Sequence, residues 1–159
     1  LAGYLDGSDG LVALEPRTLD AAGREPIPVH ETDAYRVSAI GVTHGPVPAL
    51  AYRVDIGEQR IVFSGDMNGD DPWFVDFARG ADLLIMDHAV PEDAGPVATR
   101  LHALPSEIAA IAKEADIGHL VLSHLMRRSE RALDESLARI RRVYAGPVSV
   151  AEDLACFTP

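Results

Sequence analysis

From residue 35 onward the apolar positions alternate with polar ones or gather into short blocks, and each pattern predicts an element. Tyr35–Thr43 is rich in β-formers and reads as a strand. Ala49–Asp55 and Arg60–Ser64 read as two more, joined by a turn at Gly57-Glu58. Leu83–Asp87 and Leu120–Ser123 are short apolar blocks suited to buried strands. Asp71-Pro72 reads as an N-cap followed by Pro at the first helical position, opening a short helix through Phe77. Pro105-Ser106-Glu107 opens another helix, with Ile108, Ile111, Ala112 and Ala115 on its apolar face. Ser129 is placed to cap a third, with a stripe of Leu133, Leu137, Ile140 and Tyr144, stopped by Gly146-Pro147. Val148–Ala151 reads as the last strand. Strands first, then alternating helix and strand, predict an α/β layered fold. Residues 1–34 are punctuated by Gly and Pro and read as an irregular connector, with Leu11–Leu14 a short strand or one helical turn.

Composition narrows the function classes. The 159 residues are 47% hydrophobic and 25% charged, a globular balance. The net charge of −11 argues against a nucleic-acid backbone or an anionic membrane as a general partner. No apolar run approaches the ~20 residues of a membrane span. The single Cys156 excludes an internal disulfide framework and a Cys-rich zinc site. Asp6–Gly10 and Asp66–Asp71 superficially suggest calcium loops, but neither has the required spacing.

The chemistry sits at strand ends. His44, Asp66, Asp87-His88 and His124 each follow a different predicted strand. In layered α/β folds such C-terminal ends form one rim, where ligands bind. Imidazole and carboxylate are donors that zinc, manganese or iron accept.

These segments resemble a known family. Val42-Thr43-His44-Gly45-Pro46-Val47-Pro48-Ala49-Leu50-Ala51-Tyr52-Arg53, Phe63-Ser64-Gly65-Asp66 and Leu122-Ser123-His124 are similar to the third, fourth and fifth metal-binding motifs of ribonuclease Z-like metallo-β-lactamase-fold hydrolases. His102 followed by Pro105–Ala115 is similar to that family's His-plus-helix segment. The resemblance implies a site for two divalent ions, zinc first and manganese or iron as alternatives. His44 and His124 would be terminal ligands and Asp66 the bridge. It implies a hydrolase for a small phosphodiester or other ester, with His88 or Asp87 as proton carrier. His102 would support a ligand from behind or face the substrate, or simply be a loop residue before a helix.

Two departures shape that expectation. The family's His-x-His-x-Asp-His run is missing, leaving each ion one terminal ligand from this chain. Together with the non-Met start at Leu1, this implies the C-terminal half of an αββα sandwich, residues 35–159. The missing N-terminal half, or a second copy, would then be its partner. The second departure is the 22-residue step from His44 to Asp66, which two strands and a turn already fill. It has no room for a tRNA-gripping arm and, with the negative charge, makes nucleic acid an unexpected substrate. Arg127-Arg128, with Arg131, could meet a substrate phosphate or carboxylate, or be helix-start surface charge. Trp73 and Phe74 could pack or stack on substrate. The alternative to an enzyme is a non-catalytic binding or regulatory module that keeps the fold without a complete metal site.

Overall fold

The computed structural model describes residues 16–159, so Leu11–Leu14 and the Asp6–Gly10 turn lie outside the described residues. Seven strands form one mixed sheet in chain order: β1 (Ile27–Glu31), β2 (Arg36–His44), β3 (Val47–Ile56), β4 (Gln59–Phe63), β5 (Leu83–Asp87), β6 (His119–Ser123) and β7 (Val148–Val150). Neighbours from β1 to β4 are antiparallel, and those from β4 to β7 are parallel. Therefore β2 and β4–β7 all run the same way, and their C-terminal ends share one edge. The antiparallel strands need only tight turns, whereas the parallel ones need crossovers. Those crossovers carry α1 (Pro72–Ala78), α2 (Pro96–Thr99), α3 (Pro105–Glu114), α4 (Arg127–Arg131) and α5 (Leu133–Arg141).

Register shows how the sheet divides its side chains. Arg53, Val62, Leu84, Leu120 and Val148 are successive cross-strand partners and face the helices. Val62, Leu84 and Leu120 are fully buried there with Phe74, Ile108 and Ile140 from α1, α3 and α5. Ala39, Tyr52, Phe63, Ile85, Val121 and Ser149 form the adjoining row on the other face. That face is more open: Tyr52 is 36% and Phe63 44% exposed. One sheet with its helices on one side is the β-plus-α half of an αββα sandwich, in agreement with the α/β reading.

Two elements differ from the sequence reading. β1 lies inside the stretch read as irregular, because Pro26 and Pro28 mask it. Pro28 is tolerated on this edge strand, where the register shifts between Pro28 and His30. The helix expected from Ser129 is two helices. Ser129 lies inside α4, where its hydroxyl accepts the Met126 N–H (2.9 Å) and donates to the Met126 carbonyl (3.0 Å). It caps the first turn of α4, and the chain restarts as α5 after Ala132.

Candidate metal centre

The shared sheet edge gathers the expected residues. His44 ends β2. Its Nδ1–H donates to the Leu101 carbonyl at 2.7 Å, which leaves Nε2 on the side of Asp66. That Nε2 lies 4.0 Å from Asp66 Oδ2. Asp66 follows Gly65, which has φ +61° and sits so close to β3 that a Cβ would clash with the Leu50 carbonyl oxygen. Glycine is what lets β4 end in this turn and present Asp66 at the edge. His124 follows β6 with φ +52°, an uncommon conformation for a non-glycine residue. Its Nε2 lies 3.5 Å from Asp66 Oδ2, so one carboxylate oxygen stands between two imidazoles.

His102 joins them from the loop before α3. Its Nδ1 is 2.8 Å from Oδ2 of the buried Asp87, and its ring centroid is 5.1 Å from His44 and 5.6 Å from His124. His44, Asp66 and His102 each offer a ligand atom, all within 4.8 Å of one another. Burial pushes the Asp87 carboxyl up from the usual carboxylate range, while the His102 hydrogen bond pulls it down. Its second oxygen has no hydrogen-bond partner among the described residues. The donor set fits a divalent cation: imidazoles oriented by hydrogen bonds at Nδ1 and a carboxylate between them.

His88 requires a correction. The sequence reading has it protonate a leaving group, but it is fully buried, and neither ring nitrogen has a hydrogen-bond partner among the described residues. Burial lowers its pKa to about 4. A ring sealed in this way cannot reach a substrate atom. The Asp87 partner is His102, fifteen residues along the chain, which places a His–carboxylate pair at the edge where the sequence suggested the adjacent Asp87-His88. No local spacing announces that pair, because it forms between a strand end and a loop.

The surrounding residues divide by environment. Phe74 is core. Trp73 donates its indole N–H to the Gly41 carbonyl at 2.9 Å, and the Arg24 guanidinium lies 4.0 Å from its ring centre, so Trp73 and Phe74 both pack. Arg127 and Arg128 are exposed beyond His124, and Arg128 Nε donates to the Ala89 carbonyl. Asp71 was read as a helix cap, but its side chain makes no cap bond. Instead it accepts the Thr43 N–H (2.6 Å) and hydroxyl (2.7 Å), beside His44. A cap and a tertiary clamp look alike in sequence, so this role was missed.

An α/β sheet with a His/Asp cluster at its C-terminal edge is a scaffold that can hold a divalent metal ion. The family described as "Beta-lactamase superfamily domain" matches residues 12–125, and the chain belongs to it. Ribonuclease Z of Myxococcus xanthus (strain DK1622) is 38% identical over 97 residues, 60% of this chain and 31% of that protein. "Probable metallo-hydrolase YhfI" of Bacillus subtilis (strain 168) is 32% identical over 108 residues, 67% of this chain and 42% of that protein. The crystal structure of the metallo-beta-lactamase fold protein YhfI from Bacillus subtilis superposes with TM-score 0.68 at 26% identity, covering 89% of this chain and 52% of that one. Human tRNase Z, short form, superposes with TM-score 0.63 at 23% identity, covering 86% and 48%, and supports the fold. The chain spans about a third of the length of the Ribonuclease Z it matches. Proteins of this fold generally bind divalent metal ions, and the His/Asp cluster is the candidate site here.

Proposed function

We propose that the chain contributes to the centre of a metal-dependent hydrolase acting on a small phosphodiester or another ester. The observation that carries this reading is the convergence of His44, Asp66, His102 and His124 at one edge. His44 and His124 would be terminal ligands of two divalent ions, zinc by donor chemistry, with Asp66 between them. When bound, such ions acidify water and offset the negative charge that builds on the ester.

The protein's own groups do the rest. The Leu101 carbonyl holds the His44 tautomer. Asp87 orients His102 through Nδ1, leaving Nε2 to hold a proton for a departing oxygen. The Asp87–His102 pair thereby takes the role first given to His88. One terminal His per ion falls short of the three protein ligands usual for catalytic zinc. The rest of a longer polypeptide, or a second copy, would complete the site.

A second reading takes the 38% identity to Ribonuclease Z as pointing to RNA. Against it stand the −11 charge and the tight turns that fill the chain between His44 and Asp66. The test is hydrolysis of bis(p-nitrophenyl) phosphate and of precursor tRNA with added zinc or manganese. The expected result is slow metal-dependent diester hydrolysis, lost by at least ~100-fold in Asp66→Ala and in His102→Ala. Preferential tRNA cleavage would favour the second reading. Absence of both hydrolysis and metal uptake would leave a non-catalytic binding module. After gel filtration, fewer than ~2 equivalents of zinc should remain, since the sites lack ligands.

A further inference from the structure

The loop that delivers Asp66 also grips the residues that deliver its neighbours. The Asn68 N–H donates to the Thr43 carbonyl at 2.8 Å. Asp71 takes both remaining donors of Thr43, the N–H on Oδ2 at 2.6 Å and the hydroxyl on Oδ1 at 2.7 Å. The Met67 carbonyl accepts the N–H of Ala103, which follows His102, at 2.8 Å. The His44 ring closes the circuit through the Leu101 carbonyl. The chain from residue 66 to 71 therefore splices the end of β2 to the loop before α3, and Asp71 is its side-chain tie to β2 beside the Asn68 backbone bond. Asp71 is 2% exposed. A buried carboxylate is costly unless its oxygens are hydrogen-bonded, and here Thr43 supplies a donor to each.

We infer that Asp71 is a positioning residue for the metal centre: by clamping Thr43 it fixes where His44 stands relative to Asp66. The inference rests on the metal-site reading proposed above. Thr43 is bonded through its N–H, its carbonyl and its hydroxyl, all to the loop that carries Asp66. His44 is the next residue, so the His44–Asp66 separation follows from this clamp and from the Gly65 turn. Replacing one carboxylate oxygen by an amide NH2 removes an acceptor and points a donor at a donor. The end of β2 is then held less firmly, by the Asn68 bond and the one remaining carboxamide oxygen, while the rest of the sheet is untouched.

Cobalt(II) binding to the 159-residue chain tests this, because cobalt reports ligand geometry through its visible absorption. Asp71→Asn should weaken cobalt affinity by roughly 10- to 100-fold and alter the band shape, as lost supports of ligating histidines do. Thr43→Val, which removes one of the two bonds to Asp71, should give a smaller loss of the same kind. Tyr144→Phe is the control for destabilisation alone. It deletes a buried hydrogen bond to the Ile117 carbonyl, away from the centre, and should leave cobalt affinity within about twofold of wild type. Urea melts of the metal-free proteins place the three variants on one stability scale. A folded Asp71→Asn or Thr43→Val chain that binds cobalt as wild type does overturns the clamp. Loss of affinity in proportion to stability, Tyr144→Phe included, overturns it as well. A wild-type chain with no cobalt binding overturns the metal-site reading itself, a distinct outcome.

Discussion

His88 shows what burial does to one titratable group. Its folded pKa of about 4 lies below the ordinary value of 6.5, so the unfolded chain takes up a proton first as pH falls. The stability tied to its neutral form is fully present above pH 6.5 and is lost as pH falls towards about 4. The loss is on the order of 3 kcal/mol. Asp87 works in the opposite sense, because its raised pKa makes the folded state the better proton acceptor. The two are separated by difference: the stability gap between wild type and His88→Leu, from urea melts at pH 7 and pH 4.5, should shift in favour of the variant as pH falls. A gap independent of pH would show that His88 does not titrate with unfolding. At pH 7 the variant should stay within about 1.5 kcal/mol of wild type, since it replaces an unpartnered ring by an apolar side chain. Hydrolysis by His88→Leu should persist, whereas His102→Ala and Asp87→Ala should both lose it.

At the scale of elements, two turns decide where the chemistry stands. Gly65 ends β4 with a positive φ and with the β3 backbone pressed against its α-carbon. Gly65→Ala should destabilise the chain by roughly 2 kcal/mol or more, through backbone strain and the clash with Leu50. It should also lower metal affinity, because Asp66 is the next residue. A melt at the wild-type midpoint would refute that account of the turn. Ser129 is the corresponding feature of α4. Ser129→Ala should cost about 1 kcal/mol as the hydroxyl at the third helical position no longer accepts the Met126 N–H, while leaving the Asp87–His102 pair in place. Both glycine and serine were visible in the sequence as punctuation. Met126 lies only three residues before Ser129, but the partner of Gly65 was not visible, because Leu50 is supplied by how strands and turns come together. The same holds for Asp71, whose place before Pro72 suggested a helix cap and whose carboxylate instead reaches β2.

The whole molecule presents an asymmetry. Helices cover one face of the sheet, and the other face carries Tyr52, Phe63 and Ile56 exposed at 36%, 44% and 44%. Apolar surface of this kind seeks a partner, and the paucity of metal ligands asks for one as well. The chain should therefore self-associate in a concentration-dependent way in sedimentation velocity, or bind the segment that completes the sandwich. Phe63→Lys with Tyr52→Glu should suppress the association. A monomer at all concentrations would show that this face needs no cover.

The sequence by itself determined the strands from β2 to β7, the α/β order and the placement of His44, Asp66, Asp87 and His124 at strand ends, because those depend on short-range pattern. It carried the family through three motifs of fixed local spacing. Only the tertiary structure decided which groups meet. His102 finds Asp87 across fifteen residues, Asp71 finds Thr43 across twenty-eight, and His88 turns from the site into the core. Hydrogen-bond partners at that separation are fixed by the packing of strands and loops in space, for which a single sequence has no local signature.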